Sequence, residues 1–364
     1  AILKRFRIDP LDMYKDQDEK YIIIFLYTLG QATWYSSYMV LLFPLGMFAF
    51  WFYDNKYIRI FSGIFTAVGF MTMVTQNSDS AFVAFGVMFF VMFWISMESN
   101  KRFERFLEVA IMCLASFKFM GICQRLFPEN AVQLDALPVF CSQHPLIWVF
   151  LAIAIVVYFC FRQMEKSGAI DVSGVKILRV IALVVVLIGG IAAVVYIYLN
   201  TTGRLPENMK SSNNYLLFDE YWGNNRGSSW IFAAKSFFKG SLIRKLFGCG
   251  PDGFSSFVYS FFGAELAAKW GENTVLTCAH NEWLNALVNL GIVGVTAYIG
   301  IFVSAFRRFL KKAYDYPELI AIAVSIVCYM GHNFFCYQQI ICTPVIFILM
   351  GAGESVIRYG KIRE

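Results

Sequence analysis

The chain has 364 residues, of which 58% are hydrophobic and only 15% charged, against about 25% charged in a soluble domain. Its mean hydropathy is +0.58. Too few charges exist to cover a water-facing surface, which excludes a soluble enzyme, a disordered tail, a collagen-like fibre and a disulfide miniprotein. The net charge of +6 comes from short basic clusters between apolar runs, a pattern of membrane topology and not of nucleic-acid binding.

The segment before Tyr21 is charged (Lys4, Arg5, Arg7, Asp9, Asp12, Lys15, Asp16, Asp18, Glu19, Lys20), so it is not a cleavable signal peptide. Ala1 in place of an initiator Met fits a processed, trimmed or incomplete terminus. A spanning helix needs about 20 apolar residues. That ruler gives about ten spans, near 20–34, 36–53, 57–75, 80–97, 103–123, 144–162, 175–199, 283–306, 317–335 and 338–357. The first two share one apolar stretch and read as two helices or one.

Basic clusters recur at Lys4/Arg5/Arg7, Lys56/Arg59, Lys101/Arg102/Arg105, Arg162/Lys166/Lys176/Arg179, Arg307/Arg308/Lys311/Lys312 and Arg358/Lys361/Arg363. Placing them all inside requires an even number of crossings before Lys56, which favours two helices there and puts both termini in the cytoplasm. The expected fold is thus all-α and polytopic. An N-terminal bundle over 1–199 has about seven spans, an extracytoplasmic loop covers 200–282, and a C-terminal bundle over 283–364 has about three.

A loop of about 80 residues in a compact membrane protein is usually functional. It carries eight Lys and Arg against seven acids, Glu272 and Glu282 among them, with Trp222, Trp230 and Trp270. From Ser228 to Phe247 the apolar residues interleave with Lys235, Lys239, Arg244 and Lys245, as in a basic amphipathic helix lying in the outer interface. Ser228 or Ser229 is the expected cap and Gly248 the expected end. Gly248-Cys249-Gly250-Pro251-Asp252-Gly253 spells a dinucleotide fingerprint, but no strand leads into it, and a tight turn with close backbone approach is the better account.

Each of the three histidines can be weighed. His280 stands at the mouth of a span, where an imidazole can act as a general base or only bond a helix end. Arg226 lies at the expected start of the amphipathic helix, suited to a diphosphate or to anionic headgroups. His332 falls near the outer end of the ninth span, where it either packs or lines the same cavity. No CxxC pair occurs among nine cysteines, so no zinc or redox site is expected. Cys249 with Cys278, or Cys123 with Cys141, are the pairs that could bridge, and neither bridge is favoured. Asn200-Thr201-Thr202 is a chance sequon.

The order Arg226…Trp230, Leu246-Phe247-Gly248-Cys249-Gly250-Pro251-Asp252-Gly253-Phe254, His280-Asn281-Glu282-Trp283-Leu284…Leu290-Gly291-Ile292-Val293-Gly294 resembles the O-antigen ligase and polymerase family of bacterial envelope enzymes. The specific part covers roughly 225–294, and the rest matches in hydropathy and topology only. The resemblance implies transfer of a glycan from undecaprenyl diphosphate to a sugar hydroxyl on a glycan or lipid-core acceptor. The reaction would run at the outer face of the cytoplasmic (inner) membrane, without metal, cofactor or nucleotide sugar. Arg226 would hold the diphosphate and His280 would activate the hydroxyl, with Asn281, Trp230, Lys245, Gly248 and Gly250 lining the substrate site.

One departure stands out. Such proteins commonly carry a second arginine at the start of an earlier span, where this chain has Ser142-Gln143-His144-Pro145. Arg125, Lys118, Arg204 or His144 are the candidates to replace it, with His332 a further lining residue. Lys118 is the most suggestive, since a lysine at a span's centre costs about 2.5–3.5 kcal/mol, although it can also snorkel. Rival readings are a peptidoglycan-type polymerase, a transporter or flippase with spans interrupted near Pro44, and an inactive scaffold.

Overall fold

The computed structural model describes residues 1–18, 21–22, 26–175, 177–271 and 275–360. Glu19, Lys20, Lys176, Glu272, Lys361 and Arg363, which entered the charge pattern, lie outside the described residues, as does part of the expected span 20–34. Among the described residues the chain is all-helical, 74% helix without strands. In chain order the helices are α1 (Ile2–Arg5), α2 (Ala32–Phe52), α3 (Lys56–Thr75), α4 (Asp79–Ser96), α5 (Asn100–Leu126), α6 (Ala136–Gln143) and α7 (Leu146–Lys166). There follow α8 (Ile177–Thr201), α9 (Trp222–Lys239), α10 (Leu242–Phe247), α11 (Phe254–Trp270), α12 (Glu282–Lys312), α13 (Leu319–His332) and α14 (Thr343–Tyr359).

Seven of these, α2, α3, α4, α5, α7, α8 and α12, are long and apolar enough to cross a membrane. The expected ten are not confirmed among the described residues. The described part of the first expected span includes helical residues 21–22 and a 3-10 turn, Tyr27–Leu29, before α2 begins at Ala32. Among the described residues one helix of membrane-spanning length, α2, stands in the apolar stretch before Lys56. It runs through Pro44 without ending. The ninth and tenth expected spans are helices of 14 and 17 residues, shorter than the roughly 20 that a full crossing needs.

Two compact units form: Ala1–Lys176 with Ser304–His332 and Gln339–Glu364, and Ile177–Val303 with Asn333–Gln338. Helix α8 and the first part of α12 thus group with the loop, where the sequence had suggested cuts at 199 and 282. In the first unit α2, α3, α4, α5 and α13 pack around Phe43, whose ring lies 5.0 Å from Phe70 and 5.2 Å from Phe85. Gly69 makes room for it, since a Cβ there would meet the Phe43 ring at 2.2 Å.

Ion pairs fix the ends of this bundle. Asp54 takes Lys101 at 2.5 Å and Arg105 at 3.2 Å, Glu108 takes Arg59 at 2.7 Å, and Glu104 takes Arg162 at 3.1 Å. Three of the basic clusters accordingly share one end, as alternation predicts. The N-terminal cluster does not join them. Arg5 is fully buried and donates to the carbonyls of Thr75 and Gln76 at the far end of α3, while its own carbonyl accepts from Val132 at 2.8 Å. A guanidinium on the last carbonyls of a helix is favourable in dipole terms, and it sets residues 4–5 opposite Lys56. The expectation that the N-terminus lies with the other basic clusters is corrected by this contact.

Candidate active site

The second unit builds the site from three local devices. The first is the entry to α9. Trp222 buries its ring between Tyr215 and Phe218, and its Nε1 donates to the Tyr215 carbonyl at 3.1 Å. This packing starts the helix at Trp222, six residues before Ser228. Ser228 does not cap it. The Ser228 N–H and Oγ both donate to the Glu220 carbonyl, at 2.9 and 3.0 Å. Lys269 ties the same turn by donating to Ser228 Oγ at 2.7 Å and pairing with Glu220. Arg226 projects from the first turns. One guanidinium nitrogen donates to the Gly223 carbonyl at 2.7 Å, and the group sits 6.0 Å from the centroid of Phe335. Phe335 stacks on Trp222 and on Trp230, each at 6.1 Å, so Arg226 is held on a three-ring aromatic platform.

The second device joins the Gly248–Gly253 turn to a kink in α12. Gly291 leaves the helical conformation at φ 70°, which frees the carbonyls of Val288 and Asn289. They accept from the N–H groups of Cys249 at 3.1 Å and Gly250 at 2.9 Å. The approach is reciprocal. A Cβ on Gly248 would meet the Asn289 carbonyl oxygen at 2.1 Å, and one on Gly291 would meet the Leu246 backbone at 2.4 Å. Gly248 also ends α10 with φ 78°. The tight-turn reading of this motif is the one the backbone follows. A helix, α11, does follow directly, but no strand precedes it among the described residues.

The third device presents His280. Its backbone has φ 50°, a conformation uncommon outside glycine and often kept at functional sites. Both neighbours are buried and fixed. Asn281 caps α12, its Oδ1 accepting from Trp283 and Leu284 at 3.0 Å. Ala279 donates its N–H to Asn285 at 3.4 Å. The imidazole itself turns outward against Tyr337, centroids 5.4 Å apart. Surrounding protein lowers its pKa below the ordinary imidazole value, and the charge of Arg226 adds to that effect. His280 is therefore biased toward the neutral form that can accept a proton.

The segment 333–338 carries both Phe335 and Tyr337, and one residue grips both of its ends. Glu282 donates its N–H to the Asn333 carbonyl at 2.9 Å, and its carboxylate accepts the Gln338 N–H at 2.9 Å. Gln338 Nε2 continues to Tyr298 Oη at 3.0 Å. Glu282 and this segment had drawn no attention as site residues. No spacing rule links 282 to 338, and only the buried carboxylate at the helix start hinted at a task.

Other expected residues are distributed as follows. Trp230 belongs to the aromatic platform, Lys245 stands on α10, and Gly250 binds the α12 kink through its N–H. Lys118, Arg125 and His144 meet in the first unit: Lys118 Nζ donates to the His144 carbonyl at 3.3 Å and lies 5.1 Å from the Trp148 ring, while Arg125 donates to the Gln143 carbonyl at 3.0 Å. Two cations thus gather where the resemblance led one to look for an arginine. Arg204 lies over Tyr198 in the second unit. His332 is buried among spans, with Ser37 at 3.2 Å from Nδ1 and Ser80 at 3.0 Å from Nε2. All nine cysteines are free thiols, and burial pushes those of Cys249 and Cys278 up. Asn200 spends its amide on the carbonyls of Ser211 and Leu216, both at 2.8 Å, which pins the start of the loop.

No family model, no curated protein and no solved structure matches this chain.

Proposed function

We propose that the protein is a membrane glycosyltransferase of the O-antigen ligase or polymerase type, moving a glycan from undecaprenyl diphosphate to a sugar hydroxyl. The observation that carries this reading is the meeting of Arg226 and His280 on one short segment, through Phe335 and Tyr337. A fixed cation beside an imidazole whose pKa is lowered suits a reaction in which a diphosphate leaves and a hydroxyl attacks.

In this mechanism His280 takes the hydroxyl proton as the acceptor oxygen forms its bond to the anomeric carbon. The bond from that carbon to the diphosphate oxygen breaks, and its electron pair leaves with the diphosphate. Arg226 neutralises the charge that grows there, an electrostatic contribution largest when the donor is held in advance. Attack from the face opposite the leaving group inverts the anomeric configuration. The reading places the reaction at the outer face of the cytoplasmic membrane. Its test is glycan transfer by Arg226→Ala and His280→Ala at matched membrane levels, with loss in each supporting it and retained transfer overturning it. Short lipid-linked repeats accumulating on loss would mark a polymerase, and long unattached chains a ligase.

A further inference from the structure

Helix α9 borders a cavity of about 620 Å³ that shares only Trp230 with the platform holding Arg226. Its walls are Phe218, Trp230, Ile231, Ala234, Phe238 and Phe262, a lining of carbon and aromatic rings. Phe238 remains 72% exposed. Two cations stand at the cavity, Lys235 and Lys239, one helical turn apart on a single face. Both ammonium groups gather over the same ring: Lys239 Nζ is 4.2 Å and Lys235 Nζ 5.9 Å from the Phe262 centroid. Neither forms an ion pair among the described residues. Like charges so placed repel, and an anion between them would reverse the sign of the interaction.

Apolar walls beneath a pair of uncompensated cations match a molecule with an anionic head and a hydrocarbon tail. The volume lies in the range, roughly 300–1,000 Å³, that single small ligands fill, which suits one acyl chain. We infer that the cavity is a binding site for an anionic glycerophospholipid of the surrounding bilayer, its phosphate bridging Lys235 and Lys239 and one acyl chain lying against Trp230 and Phe238. The inference needs a membrane setting but not the transferase reading.

Native mass spectrometry of the full chain, released from micelles containing equal phosphatidylglycerol and phosphatidylcholine, tests it. Wild type retains phosphatidylglycerol in preference. The double variant Lys235→Gln/Lys239→Gln loses that retention about tenfold or more. Ala234→Trp, which fills the cavity, lowers it with both lysines present, while Lys210→Gln, a charge lost elsewhere in the same unit, leaves it unchanged. Equal retention of the two lipids, or undiminished retention by the double variant, overturns the proposal. Loss in the lysine variant but not in Ala234→Trp would reduce it to surface charge, and displacement by an added polyprenyl phosphate would assign the cavity to a carrier lipid instead. His280→Ala keeps its lipid whether or not transfer is lost, so the two readings fail separately.

Discussion

Glu282 and Gln338 are joined at 2.9 Å by a carboxylate that accepts a backbone N–H, while the Glu282 N–H holds the Asn333 carbonyl at the other end of the same six-residue segment. The segment carries the rings against which Arg226 and His280 rest. In the proposed transferase Glu282 is a positioning residue, acting through Phe335 and Tyr337. Glu282→Ala leaves the part-buried Gln338 N–H without its acceptor, a loss of about 1–3 kcal/mol. Its expected signature is a lower melting temperature with transfer reduced about 10²-fold, and Glu282→Gln, which keeps an acceptor, recovers part of both. Unaltered transfer in Glu282→Ala would separate the segment from the chemistry.

The pH dependence follows from His280. Burial and Arg226 lower its pKa below 6.5, so the neutral base is present at neutral pH and is lost as pH falls through the lowered value. The acid limb of the transfer rate is expected below the ordinary imidazole range. Removing the neighbouring cation relieves one cause of the shift. Arg226→Gln should therefore move the residual acid limb to higher pH, and a limb that moves down or stays put contradicts the assigned coupling.

Gly248 and Gly291 are predicted to be intolerant of any side chain. Each combines a positive φ with a backbone contact that a Cβ would breach, at 2.1 and 2.4 Å, so Gly248→Ala or Gly291→Ala should cost about 2–5 kcal/mol. Gly250 has open space around its missing Cβ despite φ 101°, and its alanine variant pays conformational strain alone, about 1–3 kcal/mol. Thermal unfolding of the three purified variants gives the order.

The position of Arg5 makes a topological prediction. Asp12 and Asn55 are exposed, and because Arg5 binds the far end of α3 while Asn55 caps its start, the two are expected at opposite ends of the first unit. Single variants Asp12→Cys and Asn55→Cys should react with an impermeant maleimide from opposite faces of the membrane. Labelling of both from one face would contradict this placement of the N-terminal segment.

Most of the bundle was legible because apolar length alone defines a spanning helix, and Asn55 and Ser99 mark two starts as caps. The N-terminal cluster departs from the charge pattern for a physical reason. Charge alternation assumes that basic residues stay in water on one side, whereas Arg5 is satisfied by helix-end carbonyls and can be buried at the other. Helix α9 starts earlier than the apolar pattern from Ser228 indicates because the buried Trp222 packs on Tyr215 and Phe218, with Gly223 and Asn225 at positive φ in its first turn. In the site, His280, Arg226 and the glycine turn were visible as motifs, since their types and order are local. Glu282 was not, because its partner lies 56 residues on and shares no pattern with it.

The most direct test is glycan transfer in cells lacking the native gene, comparing wild type with His280→Ala at matched membrane expression and resolving products by chain length. A folded His280→Ala protein should lose transfer by about 10²–10⁴-fold. Transfer at the wild-type rate by that variant would contradict the account at its centre.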